Sequence, residues 1–182
     1  MQEIWVDETY INYLPDAVSL EPLCASLPEL VVCKSMSKCY ALSGLRVAYA
    51  VNQNMATLRR YIPPWAVSLP GQLAAVAALR NEAYYQAQYD TIHQQREAMH
   101  STLEGLGFRV FSGVANYLLT YLPAASGYSS IRFIEACREQ GLFVRDAQNM
   151  GVMLPNNAVR FAVRSTEENE KMLSIVRSIL AA

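Results

Sequence analysis

Two cationic side chains, Lys38 and Arg46, stand eight residues apart in the stretch Ser35-Met36-Ser37-Lys38-Cys39-Tyr40-Ala41-Leu42-Ser43-Gly44-Leu45-Arg46. A lysine just past a buried strand sits where a partly desolvated amine is easy to build. Desolvation lowers an amine's pKa, and a neutral amine can attack a carbonyl carbon to form a Schiff base. Arg46 offers a fixed fork of donors that suits a phosphate or a carboxylate. Ser35 and Ser37 add hydroxyls beside the lysine. Near the start, Asp7 and Tyr10 follow the apolar run Ile4-Trp5-Val6. That pattern delivers a carboxylate at the C-terminal end of a strand, where open α/β sheets place their ligands. Toward the end, Arg160 and Arg164 fall in an alternating run, and Arg145 follows Leu142-Phe143-Val144.

The elements that must position these residues are legible from periodicity. Leu30-Val31-Val32-Cys33 and Val47-Ala48-Tyr49-Ala50-Val51 are short and rich in β-branched residues, so both read as buried strands. Residues 15–29 form a connector with prolines at 15, 22 and 28, holding at most a short helix over Leu20 to Leu27. A helix start follows Asn52 and is stopped by Pro63-Pro64. A helix from Leu69 to Arg80 carries a small-residue face, Ala74 to Ala78, and a longer, more polar one runs from Tyr84 to Leu106. His93 and His100 on that helix read as solvated, with no further metal ligands nearby in the sequence. From Phe108 the pattern becomes strand, strand, helix, strand, strand, helix, a small α+β domain. Its first helix spans Ser130 to Gln140, with Ile131, Ile134 and Cys137 on the buried face. Alternation over Val159 to Arg164 puts Arg160 and Arg164 on one face. Ser165-x-x-Glu168 is a capping box that opens the last helix.

Taken together, Asp-x-x-Tyr at a strand end, Ser-x-Ser-Lys about thirty residues later, and Gly-x-Arg ending eight residues after the lysine resemble a known family. They look like the cofactor-lysine segment of fold-type I pyridoxal-phosphate enzymes, most similar to class I/II aminotransferases of the histidinol-phosphate aminotransferase group. The resemblance implies an α/β chain: part of the large-domain sheet of the fold-type I fold, in its C-terminal half, plus the small α+β domain. Residues 1–83 would belong to the large domain, 84–107 to a connecting helix and 108–182 to the small domain. The implied cofactor is pyridoxal 5'-phosphate, with Lys38 as the catalytic lysine that carries it. Asp7 would pair with its protonated ring nitrogen, keeping the ring cationic and able to accept electrons. Tyr10 would meet its phenolic oxygen, and Ser35, Ser37 and Arg46 its phosphate. An arginine in the strand before the last helix binds the substrate carboxylate in the family. Arg160 matches that context, with Arg164, where many relatives have a small residue, as the alternative. Arg145 would serve a second anionic group.

The implied partners are a small-molecule amino donor and a 2-oxo acid, with a homodimer as the family's assembly. A decarboxylase of a phosphorylated amino acid, such as threonine phosphate, is a second expectation on the same scaffold. A truncated, non-catalytic remnant is a third. The family's preceding segment supplies a phosphate-binding turn, a ring stacked on the cofactor and an asparagine beside its phenolic oxygen, and none has a counterpart here. The 182 residues alone are therefore expected to bind the cofactor weakly and not to transaminate.

Composition sets the remaining bounds. A formal charge of −1 gives no broad basic field for nucleic acid. Cys24, Cys33, Cys39 and Cys137 show no metal-ligand spacing and read as buried thiols, which fits a reducing compartment. Asp7 and Glu8 interrupt any secretory signal, and no window approaches the length of a membrane span. A cytoplasmic, membrane-free protein without a metal is the expectation.

Overall fold

The computed structural model describes residues 3–151 and 153–181. It divides into two compact units, one reaching to Tyr89 and the other starting at Asp90. The first unit holds β1 (Ile4–Asp7), β2 (Leu30–Ser35), β3 (Ala48–Val51), α1 (Met55–Arg59) and α2 (Leu69–Leu79). The helix α3 (Glu82–Gly105) runs from this unit into the next. The second unit continues with β4 (Arg109–Val110), β5 (Tyr117–Tyr121), α4 (Ser130–Glu139), β6 (Arg145–Asp146), β7 (Ala158–Ala162) and α5 (Thr166–Leu180).

In the first unit the strand order is β1-β2-β3. β1 runs parallel to β2 with Asp7 beside Cys33, and β3 returns antiparallel with Ala48 beside Ser35. Central β2 buries Leu30, Val31 and Val32, as a strand covered on both faces should. Edge strand β1 leaves Ile4 and Trp5 exposed. Ser68 caps α2 by accepting from the Gly71 backbone N at 3.2 Å, and Pro70 follows in the first turn. The small face of α2 packs inward as expected, with Gly71, Ala75 and Ala78 buried. A Cβ built on Gly71 would lie 2.9 Å from Val47 Cγ2, so the glycine permits close approach of α2 to the residue that follows Arg46.

The second unit has a four-stranded sheet in the order β4-β5-β7-β6, antiparallel throughout. Its core joins Leu118 and Val159 and Phe161 of the strands to Phe133 and Cys137 of α4, Val176 of α5 and Leu103 of α3. The rings of Phe108 and Phe161 meet edge to face at 5.8 Å, a favoured aromatic geometry. Full burial of Phe133 alone is worth roughly 1.5–3 kcal/mol of apolar transfer. The capping box is present: Ser165 accepts from the Glu168 backbone N, and the Glu168 carboxylate accepts from the Ser165 backbone N.

Three local expectations are corrected. The buried stripe of α4 is Ser130, Phe133, Ile134 and Cys137, and Ile131 faces out. The strand expected over Leu142 to Arg145 is limited to Arg145–Asp146, because Leu142 and Val144 pack on the core from irregular backbone. β7 ends at Ala162, so Arg164 lies beyond the strand whose alternation was to align it with Arg160.

Candidate active site

The ends of β1 and β2 lie side by side, and successive residues there point to opposite faces of the sheet. One face carries Asp7, Cys33 and Ser35, and the other carries Glu8 and Lys34. On the first face the Asp7 carboxylate accepts hydrogen bonds from the Thr9 backbone N, at 2.8 Å, and from the Thr9 hydroxyl. The same hydroxyl oxygen accepts from the Ser35 backbone N at 3.2 Å. Thr9 thus ties the carboxylate at one strand end to the serine at the next. The hydroxyls of Ser35 and Ser37 are 2.7 Å apart. Cys33, expected to be buried, is half-buried on this face. Burial and the neighbouring Asp7 charge push its thiol up.

The loop carrying Lys38 is closed at its base and pinned from below. The Met36 backbone N donates to Val47 O at 3.0 Å, extending the β2–β3 pairing by one step and bringing Arg46 to the exit of the loop that Ser35 and Ser37 enter. The Tyr13 hydroxyl donates to Lys38 O at 3.3 Å, and the Cys39 thiol to Thr9 O at 3.1 Å. Tyr13 is fully buried, and burial raises its phenol above the usual range. Its ring meets Tyr89 at 5.3 Å, and Tyr40 meets Tyr85 at 5.0 Å, both edge to face. The Tyr85 hydroxyl donates to Tyr40 O at 3.4 Å. Burial pushes the Cys39 thiol up to about 11, which keeps it protonated near neutrality. Sequence reasoning missed this tyrosine layer; Tyr85 and Tyr89, four apart at the start of α3, were its signal.

Lys38 itself is exposed, as are Asp7 and Arg46. Arg46 adopts the left-handed conformation, φ 53° and ψ 48°, and donates from Nη1 to Ser43 O at 3.1 Å. Ala41, on the other side of the loop, also has a positive φ of 55°. Such backbone costs about 1–3 kcal/mol per residue and clusters at functional sites. Among the described residues no hydrogen bond joins Arg46 to Ser35 or Ser37. Tyr10 lies with its ring 6.2 Å from that of Tyr13.

The desolvated amine anticipated at Lys38 is found four residues earlier, on the opposite face. Lys34 is buried, with Nζ 2.6 Å from Glu21 and 3.2 Å from Glu8. Ser19 and the Leu20 backbone N donate to the Glu8 carboxylate at 2.6 and 2.8 Å, and the Tyr49 hydroxyl donates to Glu21 at 2.9 Å. Burial alone would depress the Lys34 amine, but the bonds and charges of Glu21 and Glu8 outweigh it and hold its pKa above the usual range. Burial would raise Glu8, yet Ser19, the Leu20 backbone and Lys34 bring it below the usual carboxylate value. Lys34 is therefore held as a cation and is unsuited to attack a carbonyl.

The three candidate arginines lie in the second unit. Arg145 and Arg160 are direct register partners on β6 and β7, and Arg160 packs its guanidinium over the Tyr117 ring at 4.6 Å. Neither makes an ion pair among the described residues. Arg164 points its Nε at Glu168, 3.8 Å away, and its backbone N donates to Asn169. On α3, Arg96 is buried although the polar pattern placed it outside. It donates to Phe111 O at 3.3 Å, and its Nε lacks a partner among the described residues. His93, read as solvated, has a buried Nε2 without a partner among the described residues, while His100 pairs with Glu104 at 3.2 Å. Among the described residues no helix is long and apolar enough to cross a membrane.

Comparison with known proteins identifies the family of the chain. Residues 4–176 match the model of the family described as aminotransferase class I and II. Threonine-phosphate decarboxylase of Salmonella typhimurium is 30% identical over 179 residues, 96% of this chain and 48% of that protein. The crystal structure of the histidinol-phosphate aminotransferase from Clostridium acetobutylicum superposes with a TM-score of 0.85 at 24% identity, covering 98% of this chain and 54% of that one. The histidinol-phosphate aminotransferase from Sinorhizobium meliloti, solved in complex with pyridoxal-5'-phosphate, gives 0.83 at 22% identity, over 98% of this chain and 49% of that one. The chain spans about half the length of the curated relatives it matches. With the match running through nearly the whole sequence, the chain belongs to the class I and II aminotransferase family.

Proposed function

We propose that this chain carries the cofactor-lysine and substrate-arginine parts of a pyridoxal-phosphate-dependent aminotransferase. Its amino donor would be an amino acid or an amino-acid phosphate such as histidinol phosphate, and its acceptor a 2-oxo acid. One observation carries the reading: Asp7 and the Ser35–Ser37 hydroxyl pair stand at adjacent strand ends linked through Thr9, with the exposed Lys38 on the loop that follows. An amine, a carboxylate, two hydroxyls and a guanidinium are the donor set that an aldehyde, a pyridine nitrogen and a phosphate require, so the residues fit the cofactor.

When bound, the cofactor supplies an electron sink for the charge that develops at the substrate Cα. Asp7 holds the proton on the ring nitrogen, and Thr9 fixes the carboxylate for that task. Tyr10 serves the phenolic oxygen, and Ser35, Ser37 and Arg46 hold the phosphate. Lys38 retains the cofactor and then moves the proton at the substrate Cα as general base. Arg160 binds the substrate's anionic group. Its freedom from ion pairs among the described residues supports it over Arg164, which faces Glu168. Arg145, directly opposite Arg160, adds a second positive charge and favours a substrate bearing a phosphate. That feature suits decarboxylation of threonine phosphate equally, which is the second reading. A homodimer is the assembly proposed for the full enzyme.

The chain's lysines are Lys34, Lys38 and Lys171. Incubation with pyridoxal 5'-phosphate, borohydride reduction and peptide mapping should give one adduct, on Lys38, even where affinity is weak. Labelling of Lys34, or equal labelling of Lys38 and Lys171, refutes the site. In a full-length enzyme carrying this segment, carbon dioxide release from threonine phosphate, against amino transfer from histidinol phosphate to 2-oxoglutarate, separates the two reactions.

A further inference from the structure

We propose that Tyr117 is a positioning residue that aims Arg160 at an anionic substrate group while leaving the guanidinium's N–H donors unengaged. This rests on the reading of Arg160 given above. Leu119 is the register partner of Arg160, and Tyr117 is that of Ala162. Tyr117 is therefore the diagonal neighbour of Arg160, within reach of a long side chain across an antiparallel pair. Ala162, opposite the tyrosine, is small enough for the ring to lie toward Arg160, and the guanidinium carbon sits 4.6 Å from the ring centroid.

The alternatives for holding an arginine on an open sheet face differ in one consequence. A carboxylate partner fixes the side chain but occupies its donors and cancels its charge; Glu168 stands in that relation to Arg164, 3.8 Å from its Nε. A ring face attracts the guanidinium through its quadrupole and leaves the in-plane donors available. Arg145, opposite Arg160, repels it and would drive an unsupported side chain toward solvent. The tyrosine ring opposes that drift. Arg109 lies over Phe111 and Tyr121 at the far edge of the same sheet, 5.1 and 5.8 Å from their centroids, and provides an internal control.

The test uses the chain with labelled arginine side chains, titrated with inorganic phosphate and followed by NMR of the Nε–Hε groups. The Arg160 signal is assigned by its absence in Arg160→Lys. Tyr117→Leu should weaken phosphate binding at Arg160 by about 2- to 30-fold, the range of a cation–π contact from exposed to desolvated settings. Tyr117→Phe should keep the wild-type affinity, and Tyr121→Leu should leave it unchanged. If Arg160→Lys does not alter phosphate affinity, the assignment of Arg160 fails and this inference falls with it. If Arg160→Lys weakens binding but Tyr117→Leu does not, or if Tyr121→Leu weakens it equally, Arg160 stands and the positioning role of Tyr117 is overturned.

Discussion

Replacing Lys34 by methionine probes the buried charge cluster behind the candidate site. The substitution keeps the length and packing of the side chain and removes the cation between Glu8 and Glu21. Breaking a buried pair by deleting one partner typically costs about 3–5 kcal/mol. Two features here lower the figure. Glu21 retains 29% side-chain exposure and rehydrates, and Glu8 keeps its bonds from Ser19 and the Leu20 backbone. A loss of about 2–3 kcal/mol at neutral pH follows. The pH dependence has a defined sign. The folded-state pKa of Glu8 is depressed below 4.5, so its contribution is present above that value and is lost as pH falls through the folded pKa. That of Lys34 is raised above 10.5, so its contribution is present below that value and is lost as pH rises through the folded pKa. The penalty of Lys34→Met should therefore be largest between these limits and shrink toward either end. Trp5 and Trp65 both lie in the first unit, so tryptophan fluorescence during urea unfolding reports on that unit. A penalty below about 0.5 kcal/mol at neutral pH, or one that does not shrink as the pH is taken progressively below 4.5, would refute the cluster's stabilising role.

Two further outcomes are expected. In a full-length enzyme carrying this segment, Asp7→Asn should leave reductive trapping on Lys38 intact while slowing exchange of the amino donor's Cα hydrogen into deuterated solvent by orders of magnitude, because an amide does not hold the ring proton; an unchanged exchange rate removes Asp7 from the site. Gly71→Ala should destabilise the first unit by about 1–3 kcal/mol, since the new methyl would meet Val47 Cγ2 at 2.9 Å and Leu45 O at 3.4 Å. Neutral unfolding behaviour would show that α2 can retreat from the Arg46 segment without cost.

What could be read from the sequence and what could not divide along physical lines. The serine–lysine loop, the small face of α2 and the capping box of α5 were legible because each depends on a few residues close in sequence. Lys34 and Arg96 were not, since charge pattern assigns lysine and arginine to the surface. The partners that let Lys34 be buried, Glu8 and Glu21, come from other elements. The positive φ values of Ala41 and Arg46 left no trace either, because both residue types ordinarily avoid that region. The reach of β7 was overextended because Val163 is buried although the strand has ended at Ala162. Burial and strand pairing coincide along most of that run, and the pattern reports burial.

The two faces of the β1–β2 ends depend on each other. Asp7 and Glu8 are adjacent, as are Lys34 and Ser35, yet each pair divides between a chemical face and a buried one. A slip of one residue in either strand would exchange the members of its pair, because side chains alternate with a period of two. Glu8 would then stand in the place of Asp7. Apolar matching enforces the register weakly along this edge of the sheet, where Trp5 and Ile4 are exposed. The buried contact of Lys34 with Glu8 and Glu21 is satisfied in one register, and a slip would leave charges buried without partners, which costs several kcal/mol. Ion pairing in the interior thus holds the carboxylate of Asp7 beside Ser35 and the lysine loop. That alignment is one which the hydrophobic contacts of a short edge strand do not impose.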